Sequence, residues 1–93
     1  MDDGTANWRD LFAAWPDDMP RRAIAVTALG EQIPFSGFEV GEAFVLFERA
    51  MPDSLGARMV VLPYGQIAAL KLTEVVKSRS LRSLGFGKPA SSP

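Results

Sequence analysis

Between Arg22 and Leu72, Gly30, Pro34, Gly37, Gly41, Pro52, Gly56, Pro63 and Gly65 cut the chain into short apolar runs. Runs this short suit strands of five or six residues better than helices of ordinary length. The runs also carry β-branched and aromatic residues, the composition of strands on a pleated surface. A chain so punctuated reads as several short strands with tight connections. The sharpest case is "RMVVLPYGQIAALKL", Arg58 to Leu72. A central strand cannot keep its ladder through Pro63. Two strands around a corner at Pro63, Tyr64 and Gly65 therefore fit better than one long element.

Upstream, "RAIAVTALG" sets Ile24, Val26 and Ala28 on one side and Ala25, Thr27 and Leu29 on the other, followed by a turn at Gly30 and Glu31. "QIPFSGFEV" is a second strand that Pro34 and Gly37 bend sharply. "GEAFVLFERA" is a third, and its apolar run Phe44 to Phe47 predicts burial on both faces. "MPDSLGA" is a turn-forming connection. Before the strands, "NWRDLFAAWP" places Trp8, Leu11, Phe12 and Trp15 at helical spacing on one face, with Asn7 as N-cap and Pro16 as the stop. So short a helix persists only when docked on the strands. After Thr73, "EVVKSRSLRSL" is compatible with strand or helix, and "GFGKPASSP" is a Gly, Pro and Ser rich tail. The domain division is an acidic flexible start at 1–6, a barrel domain at 7–77 and a basic flexible tail at 78–93.

Composition narrows the chemistry. The 93 residues contain no cysteine and no histidine, which removes disulfides, thiolate metal sites, and the commonest general base and metal ligand. Glu39, Glu42 and Glu48 lack metal-ligand spacing, and no phosphate-cradling glycine loop is present. The expectation is a non-enzymatic protein without cofactor or metal. No apolar run approaches the ~20 residues that span a bilayer. The acidic start lacks the basic-then-apolar pattern of a secretory signal, so the reading is cytoplasmic, with no membrane partner. The overall charge of −1 hides an asymmetry: residues 1–20 carry a net −4 and residues 75–93 a net +4. Opposite ends of this kind favour contact with another copy, or recruit an anion to the tail.

From Asn7 to Leu72 the order of elements resembles the Sm-like (Lsm) family: an N-terminal helix, then a strongly bent five-stranded antiparallel sheet closing as a small barrel. "VTALGEQIPFSGFEVGEAFVLFE" is similar to the family's first motif, with Gly37 as the central glycine and Glu48 as the closing acid. "VVLPYGQIAAL" is similar to the second, with Gln66 and Ile67 opening the last strand. The resemblance implies a homo-oligomer, in the family a ring, built by pairing the fourth strand of one copy with the fifth of the next. Val60, Leu62, Ile67 and Leu70 are the expected subunit seam. The family's uridine-pocket Asp and Asn fall near Val40 and Phe44, and its Arg-Gly pair on Pro63 and Tyr64, so its hydrogen-bonding groups for a base are missing. RNA contact, if made, runs through Tyr64 as a stacking ring and through Arg79 and Arg82 in the basic segment.

The function expected is an oligomeric assembly or interaction module. One alternative is an RNA-binding Sm-like protein that uses a non-standard face or the basic tail. A second is a cyclic dinucleotide sensor resembling PilZ domains. It would bind phosphate through Arg21 and Arg22, although "PDSLG" places its glycine too early for that family's second element.

Overall fold

A computed structural model of the chain describes residues 5–87. Residues 1–4 and 88–93, read above as parts of the acidic start and basic tail, lie outside the described residues. Helix α1 (Thr5–Ala13) is followed by strands β1 (Ala23–Thr27), β2 (Gln32–Val40), β3 (Phe44–Arg49) and β4 (Met59–Pro63). A single 3-10 turn (Tyr64–Gln66) leads into β5 (Ile67–Lys71), and a short helix α2 (Ser78–Ser83) closes the described chain. The protein is mainly β, with five antiparallel strands in one sheet in the order β4-β3-β2-β1-β5.

The corner at Pro63 is the expected one, and it dictates the shape of the sheet. Strands β4 and β5 sit at opposite edges, four strand spacings apart, which in a flat sheet is about 19 Å. The chain from Pro63 to Ile67 reaches at most about 14 Å, and less through a 3-10 turn. The sheet must therefore bend until its edges approach. Part of that bend lies in β2, where the register with β3 shifts between Phe35 and Gly37, at the expected bulge. A second irregularity falls in β1 between Val26 and Thr27. The expectation of a closing barrel is corrected here: β4 and β5 do not pair, and the sheet is not closed. One 3-10 turn brings the edges near each other without aligning them in a ladder.

The concave side of the sheet holds an aromatic core roofed by α1. Phe12 lies 5.0 Å from Phe38 and 5.6 Å from Phe47, both edge-on, and stacks on Trp15 at 6.0 Å. Phe35 and Phe47 approach to 4.6 Å. Such pairs add to the apolar burial that dominates stability. With the interior filled by rings, β1 turns its small residues inward: Ala23 and Ala25 are buried, while Ile24 and Val26 are half-buried on the other face.

The helix differs in its ends from the sequence expectation. It runs from Thr5 to Ala13, so Asn7 lies inside it rather than at the N-cap. Trp15 is already outside the helix, consistent with the restriction that Pro16 places on the residue before it. Its indole Nε1 donates to the Met19 and Pro20 carbonyls, at 3.1 and 3.2 Å, which folds the following linker back on the core. The two-sided burial expected of β3 also fails. Val45 and Phe47 are buried, but Phe44 is 51 % exposed, because no second layer among the described residues covers the convex face. Residues 78–83, assigned to the tail from sequence, form α2.

Candidate interaction surface

Tyr64, proposed from sequence as a stacking ring, is 1 % exposed. Its hydroxyl donates to the Gly41 carbonyl at 2.9 Å, so it joins the corner to the β2–β3 turn. Arg9 of α1 reaches the same turn, donating to the Glu42 carbonyl at 3.1 Å and pairing with its carboxylate at 3.5 Å. Burial pushes the Tyr64 hydroxyl above its ordinary pKa of 10.0. The ring has no face to offer a base, and the stacking role is withdrawn. Val40 and Phe44 are exposed apolar side chains. Neither offers a hydrogen bond to a nucleobase.

The four expected seam residues face inward to different degrees. Ile67 is buried, and Val60, Leu62 and Leu70 are half-buried, all packed against the core cluster. Sequence reasoning missed the residues that β4 presents outward, Met59 at 59 % and Val61 at 61 % exposure. The register sets Leu46 opposite Val61 and Phe44 opposite Pro63, so the convex face at this edge is apolar. Glu48 stands opposite Met59, and Glu39 opposite Leu46, which places carboxylates beside the patch. The signal was in the sequence: strict alternation through "MVVLP" separates Met59, Val61 and Pro63 from Val60 and Leu62.

The basic segment is organised by α2. Ser80 is buried and its hydroxyl donates to Asp18 Oδ1 at 2.9 Å, while Arg79 approaches the other oxygen of Asp18 at 3.6 Å. Arg82 is exposed and makes no ion pair among the described residues. The two sequence-named arginines of the tail thus differ: one is engaged at the linker, the other is available.

The arginine pair of the nucleotide-sensor reading is also engaged. Arg22 pairs with Glu74, and the Arg21 guanidinium lies 4.0 Å from the centre of the Phe38 ring. Asp53 serves its own turn: Oδ1 accepts from the Leu55 and Ala57 amides at 2.8 and 2.9 Å. Those backbone bonds, Ala57 first, hold its carboxyl below the ordinary value.

Among the described residues no group of three acidic side chains is placed to hold a metal ion, and no helix is long and apolar enough to cross a membrane. Comparison with protein-family models, with curated proteins and with solved structures finds no match.

Proposed function

We propose that this chain is a non-enzymatic assembly module of Sm-like fold, which associates with copies of itself through the two edges of its sheet. The observation that carries the reading is the strand order. Among the described residues it leaves β4 and β5 each with one unpaired side, and these are the two strands that the resemblance assigns to the subunit seam. An unpaired strand is a template for another chain, and the apolar residues Met59 and Val61 beside it enlarge the area that pairing would bury. The helix-first order, the bulged second strand and the short corner before β5 support the Sm-like assignment. A closed ring is the form expected, since head-to-tail pairing of unlike edges closes when the rotation permits.

Solution mass tests the reading. The purified protein is expected to be a defined oligomer at tens of micromolar. Val61→Lys is expected to lower that mass with an unchanged circular dichroism spectrum, because the side chain lies outside the core. A wild-type monomer at that concentration overturns the proposal. Mass measured before and after nuclease treatment separates assembly by protein edges from assembly on co-purifying nucleic acid.

A further inference from the structure

Helix α2 does not pack flush against the body of the protein. Beneath it lies an apolar slot of about 140 Å³ whose floor is Trp8 and Leu11 of α1 with Leu70 and Leu72 at the end of β5. Its roof is Leu81, Leu84 and Phe86, from α2 and the turn after it. The slot is open to solvent on one side, and its volume is close to that of apolar cavities that admit a six-carbon ring or a comparable chain.

The two flanks of the slot differ in charge. On one side, Leu81 and Phe86 also line a second hollow of about 140 Å³, whose remaining wall includes Ser78 and Arg82. Arg82 has no acid partner among the described residues, and the Ser78 hydroxyl has no hydrogen-bond partner among them. On the other side, Leu11 and Leu84 are shared with a hollow that contains Asp10. A ligand with a negative head is therefore attracted to the Arg82 side and repelled from the Asp10 side.

We propose that the slot and its basic vestibule bind a medium-chain carboxylate, with its alkyl chain between α1, β5 and α2 and its carboxylate on Arg82 and Ser78. The chain length that fits is about six to eight carbons. Arginine matches a carboxylate through paired N–H donors, and the serine hydroxyl adds a third donor. The site lies within one chain, and because Leu70 and Leu72 of its floor adjoin the β5 edge of the proposed assembly, the titration is run on protein of known solution mass.

The test is a titration of the ¹⁵N-labelled full chain with octanoate, followed through the Trp8 indole and the amides of residues 78–87. Saturable shifts confined to these groups are expected, with Kd below about 1 mM. Arg82→Gln is expected to weaken octanoate about fivefold while leaving the uncharged analogue octanol unchanged. Leu81→Phe, which fills the slot from its roof, is expected to abolish both. No saturable shift with octanoate overturns the proposal. Equal affinity for octanol and octanoate, or unaltered octanoate binding in Arg82→Gln, overturns the carboxylate site. Arg82 is exposed, so its substitution reads binding without a change of fold.

Discussion

A methyl group on Gly41 would stand 2.7 Å from the Phe44 carbonyl oxygen, the same atom that accepts the Gly41 amide at 2.9 Å. Backbone cannot yield there as a side chain can. Gly41→Ala is expected to destabilise by about 1–3 kcal/mol in urea titration. At Gly37 the corresponding methyl meets only the Glu48 carboxylate, at 3.1 Å, which is the far end of an exposed chain. Gly37→Ala is expected to cost less than Gly41→Ala, and equal costs would show that the turn is free to adjust. Tyr64 donates to the carbonyl of the same glycine. Tyr64→Phe removes one hydrogen bond and is expected to cost about 1 kcal/mol. The raised pKa of its hydroxyl also has a sign. The folded state holds that proton more tightly than the unfolded chain, so its contribution is intact below pH 10 and is lost as pH rises through the folded value. Unfolding titrations on the alkaline side of pH 10 should show an added loss of stability in the wild type that Tyr64→Phe lacks.

Among the elements, α2 rests on the least. Its buried anchor is Ser80, bonded to Asp18, while Leu81 and Leu84 lie over a slot they do not fill. Local opening of this helix is expected well below the free energy of global unfolding. Ser80→Ala should speed hydrogen exchange of the amides from Ser80 to Phe86 and leave those of β1 to β3 unchanged. Acceleration spread over the whole sheet would instead make α2 part of the cooperative core. Helix α1 stands in contrast, since Phe12 sits among Trp15, Phe38 and Phe47 and cannot leave without opening the aromatic core.

For the whole molecule, the relevant fact is that five strands enclose one small core and leave two edges. A domain of this size has a modest stability of its own, and association of folded copies adds to it by mass action. The melting temperature is therefore expected to rise with protein concentration, and in Val61→Lys that dependence should flatten. A melting temperature independent of concentration over a hundredfold range would speak for a self-sufficient monomer.

Much of the architecture was legible in the chain. Gly37 marked the bend in β2, Pro63 the corner, and the spacing of Trp8, Leu11 and Phe12 the helix, because each reflects a local constraint of φ, hydrogen bonding or period. The missed features depended on what lies beside a residue. Periodicity placed Phe44 to Phe47 in a strand but could not say that one face of the sheet would stay uncovered. Nor could it say that Tyr64 would be enclosed while Val61 was left outside. The available charge of Arg82, against the engaged charge of Arg79, was equally invisible, since both follow the same serine-rich pattern. The sequence by itself determined five short strands, a tight corner and a docked first helix, through steric limits that act within a few residues. Only the tertiary structure decided which edges stay open and which rings are sealed, because burial and pairing depend on neighbours far away in the chain.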